Sequence, residues 1–168
     1  VKAGDRVLVH AGAGGVGHYA IQYARKKGAH VIATARAENH DFVKGCGAQE
    51  AIDYTAVDFA SVVKDCDVVL DTLGGEAHAR SMACLKTGGT LVYLNAAPLP
   101  QGAARADIRV VNAPVRGGRA AMERVGQLAA EGVLKPHVAA TFPLERAAEA
   151  YAMIQAGRTR GKIVLTVR

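Results

Sequence analysis

The sequence predicts an α/β fold, in which a doubly wound parallel sheet of six strands, in the order 3-2-1-4-5-6, carries helices on both faces. Two observations lead to this prediction. Short apolar runs alternate with segments of helical periodicity along the whole chain. A glycine-rich turn joins the first apolar run to the first helical segment, as in a strand–turn–helix unit.

The predicted elements follow one another with short connections. Residues 7–9 and 31–33 are apolar without alternation, which is typical of parallel strands buried on both faces. Gly28 is expected to cap the first helix, and Gly88 and Gly89 to end the fourth. The predicted strands cover residues 6–10, 30–34, 50–53, 67–71, 90–94 and 108–112, with a last strand at 162–167. The predicted helices cover residues 15–27, 38–45, 58–64, 76–85, 120–131 and 144–155.

The composition indicates one globular domain over residues 1–168. Half of the residues are hydrophobic and 21% are charged, and no apolar run is long enough to span a membrane. The net charge is +6, but the basic residues are scattered and no aromatic residues interleave with them. We therefore expect neither a membrane nor a nucleic acid as a partner.

The cysteines indicate a reducing compartment. Cys46, Cys66 and Cys84 are odd in number and far apart, and no C-x-x-C pair exists. Such spacing favours neither a disulfide framework nor a structural zinc site. Reduced thiols in the cytoplasm are the simplest expectation, with no metal bound to this chain.

The turn between the first strand and the first helix carries the pattern G-x-G-x-x-G. Gly12, Gly14 and Gly17 occupy its glycine positions, with Gly15 in addition. The first glycine allows a tight turn, the second lets a pyrophosphate approach the backbone, and the third lets the helix pack closely. Free N–H groups at the helix start then favour phosphate. An ordinary glycine-rich turn is the alternative interpretation.

The end of the second strand predicts which dinucleotide is bound. A site for NAD commonly places Asp or Glu here to hold the ribose 2′-OH, whereas this chain has Arg36. A guanidinium can hold the 2′-phosphate of NADP by two hydrogen bonds. Arg36 as a plain surface residue, or Glu38 as the ribose ligand, are the alternatives.

Four blocks of the sequence resemble a known family. They are GDRVLVHAGAGGVGHYAIQYARKKGAHVIATA, DVVLDTLGG, GGTLVYLNAAP and GRTRGKIVLTV, in this order. Together they resemble the cofactor domain of medium-chain dehydrogenase/reductases, which has a Rossmann-type fold. The nearest branch is the quinone oxidoreductase, or zeta-crystallin-like, group. The resemblance covers essentially the whole chain.

The resemblance implies that NADP(H) binds in a cleft between this domain and a GroES-like catalytic domain, which this chain does not contain. The segment at about 138–168 is expected to pack toward that domain. Residues 13–16 would cradle the pyrophosphate, and residues 73–75 would line the adenosine region. The implied cofactor-binding residues are Gly12, Ala13, Gly14, Gly15, Val16, Gly17, Thr34, Arg36, Tyr54, Leu73, Gly74, Gly75, Asn95, Ala96, Ala97, Val111, Asn112, Arg158 and Arg160.

Within that list the resemblance assigns separate parts of the cofactor. Arg36 and Tyr54 would bind around the 2′-phosphate, with Arg158 or Arg160 approaching it from the end of the chain. Residues 95–97 and 111–112 would flank the nicotinamide. A lysine that the family often has shortly after the second strand is not matched, so Arg36 would have to take its place.

The implied reaction is hydride transfer to a quinone or an α,β-unsaturated carbonyl compound, a small-molecule substrate. The enoyl-reductase part of a larger synthase is a variant of this interpretation. The alternatives are a non-catalytic nucleotide-binding module with a redox-sensing or structural role, and the cofactor domain of a zinc-type alcohol dehydrogenase. Whether the protein forms a homodimer is left open by the sequence. The sequence identifies no catalytic acid or base; His10 is expected to be a core or turn residue, and His18 a packing or surface residue of the first helix.

Overall fold

The structure is a computed structural model that describes residues 1–94, 105–113 and 117–167. Six parallel strands form one sheet in the order β3-β2-β1-β4-β5-β6, which confirms the predicted topology. The strands are β1 (Arg6–Val9), β2 (His30–Thr34), β3 (Glu50–Ile52), β4 (Cys66–Asp71), β5 (Leu85–Tyr93) and β6 (Arg109–Asn112).

Helices pack on both faces of this sheet and divide the core into two clusters. Val7 and Val9 of β1 point to one face, whereas Leu8 between them points to the other. The first cluster includes Ile21, and the second includes Phe59. The helices are α1 (Gly17–Lys26), α2 (His40–Gly45), α3 (Phe59–Val62), α4 (Gly75–Ser81), α5 (Arg119–Ala130) and α6 (Ala147–Gln155).

The last part of the chain forms a second sheet. Strand β7 (Val138–Pro143) pairs in parallel with β8 (Lys162–Thr166), and α6 connects them. The strand at the chain's end was predicted, but β7 was not. No residue of β7 is buried, and its sequence VAATFP includes two alanines and a proline, residue types that are depleted in strands.

The prediction for Gly88 and Gly89 was wrong. Helix α4 ends at Ser81, and both glycines lie inside β5. The register between β4 and β5 shifts there, because Cys66 faces Leu85 whereas Val68 faces Thr90. Gly88 has φ +76°, and a Cβ on Gly89 would lie 3.0 Å from the carbonyl oxygen of Cys66. The glycines therefore accommodate an irregularity in the strand.

Other boundaries differ from the predictions by a few residues. Helix α1 begins at Gly17 because the residues before it form the turn, and the predicted helix at 38–45 is divided into a 3-10 turn (Ala37–Asn39) and α2. None of the helices in the described ranges is long and apolar enough to cross a membrane.

Candidate functional site

The glycine-rich turn connects β1 to α1 at the carboxyl edge of the main sheet. A Cβ on Gly17 would lie 2.2 Å from the carbonyl oxygen of Ala11 and 2.8 Å from the Cα of Gly12. A Cβ on Gly12 would lie 2.8 Å from the side chain of Ala33 in β2. These two glycines are therefore required by the close approach of the turn, the helix and the neighbouring strand.

Gly14 has a different environment. A Cβ there would contact the Ala11 carbonyl oxygen at 3.1 Å and would otherwise meet only the Ala11 side chain, at 3.9 Å. Gly14 also borders a cavity, whereas Gly12 and Gly17 do not. Within the described part of the chain, no acceptor pairs with the backbone N–H groups of residues 15–17. The turn thus offers free donors beside a surface that has no side chain.

The cavity has a volume of about 360 Å³ and lies at the carboxyl ends of β1, β2 and β4. In a doubly wound sheet, ligands bind at this edge. It is lined by His10, Ala11, Ala13, Gly14, Thr34, Ala35, Arg36, Glu38, Asn39, Tyr54, Phe59, Leu73, Ala77, Arg80, Gly157, Arg158 and Thr159.

Arg36 and Tyr54 form the polar rim of this cavity. Arg36 Nε donates a hydrogen bond to Tyr54 Oη at 3.1 Å, and this bond raises the pKa of the guanidinium. Among the described residues, no carboxylate lies within ion-pair distance of Arg36. The cation is therefore held in place by a neutral partner and keeps its charge for an incoming anion.

The floor of the cavity is a closed network around His10. His10 Nδ1 lies 3.1 Å from Thr34 Oγ1, and Nε2 lies 2.8 Å from Ser81 Oγ. The Ser81 hydroxyl donates to the Ala77 carbonyl oxygen, so the proton between His10 and Ser81 belongs to His10 Nε2. Burial lowers the pKa of His10 to about 4. His10 is thus a neutral structural residue, as expected.

The segment between α6 and β8 closes one side of the turn. The N–H of Gly161 donates to the carbonyl oxygen of Ala13 at 2.8 Å. The Nζ atom of Lys162 lies 3.2 Å from the position that a Cβ on Gly15 would take. A positive charge therefore stands beside the free N–H groups of the turn, which suits a bound phosphate.

The family of the chain follows from comparison with known proteins. A family model described as zinc-binding dehydrogenase matches residues 46–165. The chain belongs to this family. A 2-haloacrylate reductase from Burkholderia sp is 36% identical over 191 residues, which cover 98% of this chain and 56% of that protein.

Solved structures of this dehydrogenase family share the fold. A quinone oxidoreductase from Coxiella burnetii superposes with a TM-score of 0.90 at 36% identity, covering 100% of this chain and 54% of that one. An NAD-dependent alcohol dehydrogenase superposes with a TM-score of 0.89 at 31% identity, covering 100% and 52%. The resemblance to medium-chain dehydrogenase/reductases is confirmed, and this chain spans about half the length of these relatives.

The predicted residues fall into four groups in the structure. Ala13, Gly14, Thr34, Arg36, Tyr54, Leu73 and Arg158 line the cavity. Gly15 borders a smaller cavity beside Lys162, Val16 is exposed, and Gly12, Gly17, Gly74 and Gly75 shape the backbone. Asn95, Ala96 and Ala97 lie outside the described residues.

The fourth group, Val111, Asn112 and Arg160, neither lines the cavity nor belongs to its glycine turns. Val111 and Asn112 end the edge strand β6, away from the described lining. Arg160 does not line the cavity itself but contacts one of its lining residues, because its Nε donates to Asn39 Oδ1 at 2.7 Å while its guanidinium lies over the Phe42 ring. Of the two arginines near the chain's end, Arg158 is thus the one that faces the cavity.

Sequence reasoning missed part of the wall. Phe59 of α3 and Arg80 of α4 line the cavity, with the Arg80 guanidinium 4.8 Å from the centre of the Phe59 ring. Asp58 pairs with Arg80 and holds it there. No sequence pattern connects these residues, since two helices bring them together. Over residues 1–94, 105–113 and 117–167, no group of three or more His, Cys, Asp or Glu side chains is placed to hold a metal.

Proposed function

We propose that this chain binds NADPH along the carboxyl ends of β1, β2 and β4 and serves as the cofactor domain of a reductase. The observation that carries the proposal is the unpaired cation of Arg36, held by Tyr54 at the rim of the cavity. In NADP sites a guanidinium at this position holds the 2′-phosphate, and an acid there would repel it. Glu38, the alternative ligand for a ribose 2′-OH, also lines the cavity, so the affinities for NADPH and for NADH have to be measured separately.

The residues present fit a dinucleotide. The turn has free N–H groups and leaves the Gly14 backbone uncovered, which suits a pyrophosphate. Lys162 would add a counter-charge on the same side. Arg36, Tyr54 and Arg158 would hold the 2′-phosphate, and Leu73 would contact the adenosine region. Residues 95–97 and 111–112 stay a prediction for the nicotinamide.

The chemistry that we propose is transfer of a hydride to a quinone or an α,β-unsaturated carbonyl compound. The bound nicotinamide supplies the hydride, and the protein orients it. Similarity to a quinone oxidoreductase and to a 2-haloacrylate reductase supports this choice of acceptor. The residues of this chain bind and orient the cofactor, and the remaining half of the protein would complete the substrate pocket. We also infer a reducing compartment, the cytoplasm, from three free cysteines.

A calorimetric titration of the full protein with NADPH and, separately, NADH tests the cofactor. We expect NADPH to bind more tightly. Arg36→Ala should weaken NADPH by about 1.5–3 kcal/mol, as for a hydrogen bond to a charged group, with little effect on NADH. Arg124→Ala, in the exposed α5, is the control and should change neither. Equal losses for both nucleotides on Arg36→Ala would show that Arg36 does not read the 2′-phosphate.

A turnover assay tests the reaction class. The full protein is mixed with NADPH and either a benzoquinone or a simple enone, and loss of NADPH absorbance is followed. We expect steady turnover with at least one acceptor. Tight NADPH binding without turnover on any quinone or enone would instead favour a non-catalytic nucleotide-binding module.

A further inference from the structure

The carboxyl end of β4 holds a buried pair that the proposed cofactor contacts do not include. The side chain of Asp71 is fully buried and that of His78 is 2% exposed. His78 Nδ1 lies 2.8 Å from Asp71 Oδ2. Because a carboxylate can only accept, the ring donates from Nδ1. Neither residue lines the cavity, so any effect on a ligand must act through other residues.

The other oxygen of Asp71 shapes the turn that follows β4. Asp71 Oδ1 accepts the backbone N–H of Leu73 at 2.8 Å and that of Gly74 at 2.9 Å. Gly74 has φ +75° and Gly75 has φ +57°, conformations that favour glycine. The carboxylate therefore satisfies two N–H groups in a turn whose Leu73 borders the cavity.

The pair also reaches the end of the next strand. The His78 ring packs edge-on against Tyr93 of β5, with ring centres 5.1 Å apart. Tyr93 is the register partner of Asp71, and the N–H of Leu94 donates to the Asp71 carbonyl oxygen at 3.2 Å. Asp71 and His78 thus join the turn after β4 to the strand end that leads into residues 95–97.

The hydrogen bonding of the His78 ring is directed at the Asp71 carboxylate. His78 Nε2 is buried and has no hydrogen-bond partner in the part of the chain that the structure describes. The polar contact of the ring is therefore the one with Asp71. An apolar residue of similar size would leave Asp71 Oδ2 without this donor in a buried site, which is costly for a charged group.

We propose that Asp71 and His78 form a positioning pair that holds residues 72–74 in the shape that accepts the adenosine part of the dinucleotide. The proposal rests on the proposed function. His78 fixes the carboxylate through Oδ2, and the carboxylate fixes the two N–H groups of the turn through Oδ1. Loss of the His78 donor frees the carboxylate to rotate, and the wall of the cavity at Leu73 loosens.

Two substitutions at His78 separate this role from simple packing. The amide nitrogen of His78→Asn can take the place of Nδ1–H and should preserve the pair. His78→Leu fills the space without a donor. If His78→Leu does not fold, His78→Gln is measured in its place. The glutamine amide occupies the position of Nε2, whereas the contact with Asp71 is made by Nδ1. Val63→Ala, in the same face of the core and away from the turn, is the control for lost stability.

Two measurements on the full protein decide the matter. The first is the Kd for NADPH by calorimetry, and the second is amide hydrogen exchange at Leu73 and Gly74 without cofactor. We expect His78→Leu to raise the Kd about tenfold and to speed exchange at both amides, with Val63→Ala close to wild type in both readouts. His78→Asn should stay within about twofold of wild type.

Each contrary result has a distinct meaning. If His78→Leu matches Val63→Ala in affinity and exchange, the pair is only part of the core and the proposal is wrong. The same holds if His78→Asn is as weak as His78→Leu. If wild type binds neither NADPH nor NADH, the proposed function fails, while the exchange at Leu73 and Gly74 still shows whether the pair holds the turn.

Discussion

A single methyl group on Gly17 should destabilise the fold, whereas the same group on Gly126 should not. The Cβ of Gly17→Ala would lie 2.2 Å from the Ala11 carbonyl oxygen, and 2.8 Å from the Cα of Gly12. Real Cβ atoms essentially never make contacts below 3.0 Å, so the helix must move by about 0.8 Å away from the Ala11 carbonyl oxygen. The clashing atoms belong to the backbone, which cannot shift as easily as the end of a flexible side chain. Overpacking of this kind costs about 1–3 kcal/mol, and we expect the upper end.

The corresponding change in thermal stability is large enough to measure. For a chain of this length, 1 kcal/mol shifts Tm by about 2–4 °C, so Gly17→Ala should lower Tm by roughly 6–12 °C. Gly126→Ala is the matched control, because Gly126 lies inside α5 and a Cβ there meets nothing within 4 Å. That variant should gain about 0.5–1 kcal/mol from helix propensity. Thermal and urea unfolding followed by circular dichroism measure both variants.

Gly14 completes the comparison because it separates folding from binding. A Cβ at Gly14 meets the Ala11 carbonyl oxygen at 3.1 Å, a contact that a small shift relieves. Gly14→Ala should therefore keep a Tm within a few degrees of wild type while losing dinucleotide affinity. The reasoning is refuted if Gly17→Ala is as stable as Gly126→Ala, or if Gly14→Ala binds dinucleotide as tightly as wild type.

Three further predictions concern charge and the cofactor site. Because burial holds the pKa of His10 near 4, below its unfolded value of 6.5, the unfolded chain takes up this proton first, and stability falls by roughly 3 kcal/mol as pH drops from 6.5 to 4. In urea unfolding at neutral and acid pH, the free energy of unfolding of His10→Gln should fall less with decreasing pH than that of wild type. An equal dependence on pH in the two proteins would contradict this prediction. Lys162→Met should weaken NADPH and NADH alike in calorimetry, since Lys162 stands beside the turn rather than at the rim; a loss confined to NADPH would place it at the 2′-phosphate. Gly14→Val should abolish binding of both nucleotides, and unchanged affinity would remove the turn from the site.

The topology could be predicted because it depends on local patterns. The unbroken apolar runs of β1 and β2 are buried on both faces, and the glycines of the first turn lie where the backbone comes close. The juxtaposition of Arg36 and Tyr54 was also predictable, because β2 and β3 are parallel neighbours and both residues follow a strand end. These inferences require only periodicity and the rule that parallel strands end at one edge.

The remainder depends on contacts between distant segments. Arg160, named with Arg158 as an approach to the phosphate, donates to Asn39, which is 121 residues away along the chain, and no sequence pattern predicts that contact. The wall formed by Phe59 and Arg80 depends on how two helices meet. Strand β7 has two alanines and a proline among its six residues, so its β-propensity is weak.

The hydrogen bond from Gly161 to Ala13 has a consequence for the order in which the site is assembled during synthesis. The glycine turn is synthesised about 150 residues before Arg158, Gly161 and Lys162. A nascent chain can form the first strand, turn and helix long before the opposite side of the cleft exists. On the proposed function, the dinucleotide site is complete, and ligand stabilises the domain fully, once this late segment has emerged and closed on the turn. Until then the folding of the sheet proceeds without help from its ligand.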